Sequence, residues 1–276
     1  MRGKHTIAVF FDLKKAYDTT WKHGILQKLH NYGLRGHLPI FITFFLECRK
    51  IQVRVGAQLS DPASIDEGVP QGSVLSCTLF AVAIDDAVEN LPPSVKATLY
   101  VDDLTIYSSA RNERVAKRQI QIAINTLQNW CSRTGFCFKA EKTVSMHICR
   151  ARWGAQCCLK KSPELFLNGL EIANKDQHLY LGLVIDKSLT WNGHIDYVKK
   201  DCQRRLNVMK HVSHETWGAD SKSLLRIYEA FVKSKLEYGV EAYGSACDSN
   251  LKNLGPSKIR LSELLLGRTE HPLLRA

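Results

Sequence analysis

The run His5-Thr-Ile-Ala-Val-Phe-Phe11 is β-branched and aromatic and ends on Asp12, a pattern that predicts a buried strand delivering a carboxylate at its C-terminal end. Trp21, Ile25, Leu26, Leu29 and Tyr32 then recur at helical spacing, with Thr19 or Thr20 placed to cap the helix and Gly33 to close it. A second helical pattern follows Pro39 through Phe41, Phe44 and Phe45. Ile51, Val53 and Val55 alternate with Gln52 and Arg54 as in a half-buried strand, and the Gly- and Pro-punctuated stretch 68–72 leads into an apolar helix from about Leu75 to Glu89. Ala97 to Val101 and Leu104 to Tyr107 flank Asp102-Asp103 with only two residues between them, which predicts a hairpin with carboxylates at its tip.

Val115, Ile120, Ile124, Leu127 and Trp130 predict a helix over Glu113–Cys131 that Gly135 ends. Short strand patterns return at Val144–Ile148, Leu165–Leu167 and His178–Ile185. After Trp191 the spacing is helical again, first through Ile195, Val198, Cys202, Leu206 and Met209, then through Leu224, Leu225, Tyr228, Phe231 and Val232. The order predicts an α+β fold, an antiparallel sheet with helices packed on it followed by a helical part, with no internal repeat and no low-complexity linker.

With 276 residues, 45% hydrophobic and 24% charged, the composition is that of a soluble globular protein and excludes collagen, coiled coil and disorder. The longest apolar stretch, Leu79–Ile84, is too short to span a membrane, and Met1–His5 lacks the apolar core of a signal peptide. Nine cysteines, with no C-x-x-C pair and with Cys157 adjacent to Cys158, support neither a disulfide framework nor a common zinc spacing, so a reducing intracellular compartment is expected. Cys131, Cys137, His147 and Cys149 come nearest to a metal set, and small buried thiols are the simpler reading. Residues 1–110 carry 11 basic and 11 acidic side chains, so the whole net charge of +11 lies in 111–276. A basic part beside a neutral, carboxylate-bearing part suggests a polyanion held by one and worked on with metal by the other, a solubilising surface being the alternative.

Asp12, Asp102 and Asp103 stand at a strand end and a hairpin tip, where fixed backbone can bring them together. Phosphoryl transfer asks for this arrangement, because paired carboxylates bridge two Mg²⁺ ions, one activating the attacking oxygen and one stabilising the leaving oxygen. Asp12 and Asp102 can meet only if their strands are neighbours in a sheet. Asp85-Asp86, inside the apolar helix pattern, reads instead as a turn or a solvated helix face.

Five segments occur in an order that resembles the palm motifs of reverse transcriptases: Phe11-Asp-Leu-Lys-Lys-Ala-Tyr-Asp18, Glu67-Gly-Val-Pro-Gln-Gly-Ser-Val-Leu-Ser76, Tyr100-Val-Asp-Asp103, Gly135 through Lys142-Thr143, and Tyr180-Leu-Gly182. The second segment and the later Leu189-Thr-Trp191 look most like non-LTR retrotransposons of the arthropod jockey type. The resemblance implies a right-hand polymerase palm over 1–186 with its fingers truncated, primer-grip-like strands near 178–186, a helical thumb-like region over 187–250, and a divergent tail over 251–276. It implies RNA-directed DNA synthesis with an RNA template, a DNA primer and deoxynucleotides as partners, two Mg²⁺ ions with Mn²⁺ as an alternative, no membrane, and a nuclear and cytoplasmic life.

The resemblance also assigns roles by position. Asp12 and Asp102 match the metal ligands, with the Leu13 carbonyl as a further ligand and Asp103 completing the tip. Tyr17 matches the bulky residue that excludes a 2′-hydroxyl, against a plain core aromatic. Gln71 and Gly72 match the loop touching nucleotide and template, and Gly72 also reads as a turn residue. Lys142 matches a lysine assigned to protonating pyrophosphate, while Leu181 and Gly182 match the element that grips the primer. Lys199, Lys200, Arg204, Arg205 and Lys210 match a thumb that tracks duplex phosphates, or else form a solvated face. Only eleven residues precede Asp12, and neither an endonuclease domain nor a Cys/His knuckle is recognised, so a polymerase fragment is expected. A catalytically inactive nucleic-acid-binding remnant is the alternative, and a two-metal nuclease is a third reading.

Overall fold

The computed structural model describes residues 4–47, 49–149, 164–213 and 217–254. The adjacent pair Cys157 and Cys158 and the expected divergent tail from 255 onward lie outside the described residues. The chain divides into two units, 1–175 and 176–276.

The first unit begins with β1 (His5–Asp12), as its apolar run predicts. Next come α1 (Lys22–Asn31) and α2 (His37–Leu46). Neither Thr19 nor Thr20 caps α1: Thr19 Oγ1 donates to the Lys15 carbonyl and Thr20 Oγ1 to that of Ala16. Both hydroxyls close the preceding turn, and the helix starts at Trp21 without a side-chain cap. Of the expected apolar face only Ile25 is buried, and Trp21 and Tyr32 face solvent. In α2 the buried residues are Ile42 and Leu46, and Phe41 and Phe44 are exposed.

The expected half-buried strand over 51–55 is replaced by two small ribbons, β2 (Arg49–Ile51) paired with β5 (Ala63–Ile65) and β3 (Arg54–Val55) paired with β4 (Gln58–Leu59). Ile51, Val53 and Val55 are exposed because no layer covers these two-stranded ribbons. The apolar helix is present as α3 (Val74–Ile84), extended by a 3₁₀ turn over Asp85–Val88.

β6 (Val95–Tyr100) and β7 (Asp103–Ala110) form the predicted hairpin. α4 (Glu113–Thr134) follows, with the Asn112 side chain accepting from the Arg114 N–H at its start and a left-handed Gly135 at its end. A cap of this kind contributes about 1 kcal/mol. β8 (Val144–Cys149) pairs antiparallel with β1, β9 (Phe166–Leu167) with β10 (Leu170–Glu171), and β11 (Ala173–Asn174) adds parallel to β8. The main sheet therefore runs β11-β8-β1-β7-β6. Because β1 is central, both its neighbours fix its register.

Side chains alternate across the sheet. Ile7, Val9 and Phe11 of β1, with Leu104 and Ile106 of β7, share one buried cluster with Ala116, Ile120, Ala123, Ile124 and Leu127 of α4. The cluster extends through Trp130 and Phe136, stacked at 5.2 Å, to Phe80 and Ile84 of α3 and Ile25 of α1. Each fully buried aliphatic side chain contributes roughly 1.5–3 kcal/mol, so this helix-covered face holds the fold. Asp12 belongs to the other face.

The second unit opens with β12 (Gln177–Tyr180) and β13 (Leu183–Asp186), joined by Leu181 and Gly182, both at positive φ as a tight hairpin turn requires. Leu183 and Ile185 of this hairpin pack on the core of the second unit. That core is built from Ile195, Val198, Cys202, Leu206 and Met209 of α5 (Asn192–Val212) and Tyr228 of α6 (Ser221–Tyr228). It is completed by Val232 in a π-helical turn over Glu229–Lys233, by Leu236 and by Tyr243. Buried Asp186 accepts from the backbone N–H groups of Ser188, Thr190 and Trp191 and so fixes the entry to α5. Among the described residues, no helix is long and apolar enough to cross a membrane.

Candidate active site

The β1–β7 register sets Asp12 directly opposite Asp103, so the two carboxylates are a cross-strand pair on the face away from α4. The turn that carries the third acid is Val101-Asp102, one residue earlier than the expected tip, since Asp103 already pairs in the strand. Val101 sits at φ 55°, a region that β-branched residues rarely adopt. The neighbouring ladder holds it there, and strain of this kind collects at functional turns.

Like charges directly opposite repel. Asp103's carboxyl is pushed above the usual carboxylate range, first by desolvation and then by the charges of Asp102 and Asp12. Asp12 Oδ2 is closed to solvent and has no hydrogen-bond partner, although Lys139 Nζ stands 3.2 Å away as an ion pair. A carboxylate oxygen with no hydrogen bond, beside two further acids, fits a divalent cation, whose oxygen ligands are typically Asp and Glu.

The raised Asp103 pKa, from burial first and from the neighbouring charges second, has a consequence for stability. A carboxyl whose pKa is raised in the fold keeps its proton when the unfolded chain has lost it, so its contribution to stability falls as pH rises from the ordinary carboxylate pKa through the raised one and stays unfavourable above. Asp103→Asn is therefore expected to raise the thermal midpoint at neutral pH in a chelating buffer, with a smaller gain at acid pH. A lower midpoint at neutral pH would contradict an unfavourable charge at Asp103.

Beside the acids is a cavity of about 530 Å³ lined by Lys15, Tyr17, Gln71, Gly72, Cys77 and Asp102, among others. Tyr17 stacks on Phe80 with ring centroids 4.6 Å apart, so one face of the ring rests on the core while the residue lines the cavity. Burial, then a hydrogen bond with Cys77 and the charge of Asp102, push the Tyr17 hydroxyl above its ordinary pKa. Gln71 Nε2 donates to Asp18 Oδ1 at 2.7 Å, tying the 68–72 loop to the turn after β1. Gly72 has φ 89° with open space where a Cβ would stand.

Lys142 is exposed, in the turn where its N–H donates to the Lys139 carbonyl. Lys139 reaches the acids, and no motif of the sequence singles it out. Its position follows from an isolated bridge between Leu13 and Phe138, in which the Lys139 N–H donates to the Asp12 carbonyl and the Lys14 N–H to that of Cys137. The signal was the apolar alternation of Phe136 and Phe138, which marks an extended segment.

Leu181 and Gly182 stand in the second unit, where Tyr238 Oη donates to the Leu181 carbonyl at 2.7 Å. Of the basic residues of α5, Arg205 is occupied by Asp201, the Phe231 carbonyl and the Phe231 ring, while Lys199, Lys200, Arg204 and Lys210 are exposed.

Asp85 and Asp86 lie in the 3₁₀ turn that extends α3, as the turn reading expects, with Asp85 exposed and Asp86 half-buried and tied to its neighbours. Asp86 Oδ1 accepts from Lys28 Nζ at 2.6 Å and Trp130 Nε1 at 2.7 Å, and Asp85 Oδ2 from Tyr32 Oη. Of the thiols expected to be buried, Cys131, Cys137 and Cys149, none is fully so, while Cys202 lies in the core of the second unit. Cys131 is half-buried and its thiol is pushed up to about 12 by burial, whereas Cys137 and Cys77 are exposed.

The sequence model of the family described as reverse transcriptase (RNA-dependent DNA polymerase) matches residues 1–185. The RNA-directed DNA polymerase from mobile element jockey of Drosophila melanogaster is 26% identical over 257 residues, covering 91% of this chain and 27% of the relative. The probable RNA-directed DNA polymerase from transposon BS of the same species is 26% identical over 253 residues, covering 90% of this chain and 27% of its own. The chain thus spans about a quarter of the length of these curated relatives. Among solved structures, apo telomerase from Candida tropicalis truncated from its C-terminal domain is similar at a TM-score of 0.46 and 16% identity, over 66% of this chain and 34% of that one.

Proposed function

The chain belongs to the reverse transcriptase family, and from that premise we propose that its first unit is the palm in which RNA-templated DNA synthesis takes place, as in the retrotransposon polymerases it resembles. The observation that carries this reading is the cross-strand pair Asp12 and Asp103 with Asp102 in the adjoining turn, set beside a cavity lined by Tyr17 and Gln71. The reaction joins a primer 3′-hydroxyl to the α-phosphate of a deoxynucleotide and releases pyrophosphate.

Asp12, Asp102 and Asp103, with the Leu13 carbonyl, would hold two Mg²⁺ ions, which when bound supply charge neutralisation and lower the pKa of the attacking hydroxyl. Lys139 Nζ, 3.2 Å from Asp12 Oδ2, offsets part of the charge of the acid cluster. Gln71 and Gly72 line the nucleotide's place, and Lys142, exposed nearby in sequence, supplies a proton to the pyrophosphate. In the second unit the Leu181-Gly182 turn contacts the primer, and the exposed Lys199, Lys200, Arg204 and Lys210 contact duplex phosphates.

The test is extension of a labelled DNA primer on an RNA template with Mg²⁺ and deoxynucleotides. Template-directed extension is the expected result. A folded chain that binds primer–template without extending it would overturn the enzymatic reading in favour of a nucleic-acid-binding remnant, and degradation of the labelled duplex would identify a nuclease. Binding itself is expected to weaken steeply with salt, each neutralised phosphate adding about −0.9 to the log–log slope.

Tyr17→Val tests the steric role of the ring. A smaller side chain opens room for a 2′-hydroxyl, so the preference for deoxynucleotides over ribonucleotides is expected to fall by about tenfold or more, within the range that one shape contact supplies. Loss of the Phe80 stack costs about 0.5–1.5 kcal/mol of stability in addition. Unchanged discrimination in folded protein would leave Tyr17 a core aromatic.

A further inference from the structure

At the opposite end of β1 from Asp12, His5 Nδ1 lies 3.0 Å from His147 Nε2, with the rings stacked at 5.2 Å. A carboxylate oxygen of Glu113 joins them, and the three prospective ligand atoms all fall within 4.8 Å of one another. The strand register explains the convergence. Ile7 is opposite His147 and His5 is opposite Cys149 in the β1–β8 pair, so His5 and His147 share the face that α4 covers. Glu113 is the first residue of α4, whose Ala116 and Ile120 pack on that same face. All three residues are half-buried.

Two imidazole nitrogens at 3.0 Å hold at most one proton between them, so one ring presents a lone pair to the other. An imidazole is largely neutral at neutral pH and so offers a lone pair to a metal. Ligands about 2.0 Å from a tetrahedral ion stand roughly 3.3 Å apart, so the nitrogens need to open by only a few tenths of an ångström. Two imidazoles and one carboxylate form a donor set for Zn²⁺ and not for Mg²⁺, which prefers oxygen alone.

We propose that His5, His147 and Glu113 form a Zn²⁺ site that ties the start of β1, the end of β8 and the first turn of α4 together. It is distinct from the carboxylate site. Asp12 lies seven positions along an extended strand from His5, or roughly 23 Å at 3.3 Å per position. The sequence grouped His147 with Cys131, Cys137 and Cys149, but the fold pairs it with a histidine 142 positions away.

The experiment titrates the full, metal-free chain with Zn²⁺ in excess Mg²⁺ by calorimetry, alongside thermal unfolding and far-ultraviolet circular dichroism. One equivalent is expected to bind and raise the unfolding midpoint. His147→Gln and Glu113→Gln are expected to weaken that binding by about tenfold or more and to abolish the rise. Glu113→Gln keeps the side chain's shape at the helix surface, so it serves as the variant that folds. Absence of Zn²⁺ binding, or equal affinity in wild type and both folded variants, would overturn the proposal, the latter by assigning the ion to the thiols.

Discussion

Asp102→Asn is expected to abolish Mg²⁺-dependent incorporation while leaving the fold unchanged. Asp102 is exposed in the Val101-Asp102 turn, and Asn has the same shape and is common in tight turns, so the hairpin has no reason to rearrange. What disappears is one of three negative charges. Charge stabilisation of a phosphoryl transition state is worth several kcal/mol, and each 1.36 kcal/mol is tenfold, so incorporation should fall by on the order of 10³. The same variant should lose most of the rise in unfolding midpoint that Mg²⁺ gives the wild type, a readout that does not need turnover. Asp85→Asn is the matched control. Its side chain accepts a bond from Tyr32 Oη, which an amide oxygen can also accept, so incorporation should be unchanged. Asp86 would be a poor control, since losing it leaves Lys28 and Trp130 Nε1 without their shared acceptor. Wild-type rates in folded Asp102→Asn protein would remove the carboxylates from the mechanism.

Local periodicity made β1, the β6–β7 hairpin, α4 and α5 legible, because each buries one face whose spacing is written directly in the sequence. The convergence of Asp12 with the hairpin acids was also legible, since two strand ends can meet only by pairing. Other features depend on which strands become neighbours, and no local spacing records that. Lys139 reaches Asp12 through a single bridge between Leu13 and Phe138. His5 meets His147 only because β8 joins β1 in one particular register. Thr20 has the residue type of a helix cap, yet its hydroxyl finds the Ala16 carbonyl at 2.7 Å in the turn that precedes the helix. Asp86 looked like a surface acid because the sequence does not show that Lys28 and Trp130 arrive from α1 and α4 to bond it.

Gly68→Ala is expected to be among the most damaging single-methyl changes in the first unit. Gly68 has φ 76°, where an L side chain costs about 1–2 kcal/mol. A Cβ there would also stand 2.6 Å from the carbonyl oxygens of both Tyr17 and Asp18. Those atoms are backbone and cannot rotate away, so the segments must separate, at a further cost of about 1–3 kcal/mol. Two backbone bonds join them at this point, and Arg49 of β2 braces the loop. The Gly68 N–H donates to the Thr20 carbonyl, the Val69 N–H donates to that of Tyr17 at 2.8 Å, and Arg49 donates to the carbonyls of Glu67 and Gly68. Forcing them apart moves Gln71 away from Asp18 and opens the cavity beside Tyr17. The unfolding midpoint should fall by on the order of 10 °C, and the protein that remains folded should bind deoxynucleotide more weakly. Gly72→Ala separates the two costs, because Gly72 has a similar φ of 89° but open space at its Cβ. Its substitution should carry only the backbone term. Equal losses for the two variants in urea unfolding would mean that the close approach of the 68–72 loop to the turn after β1 contributes nothing to stability.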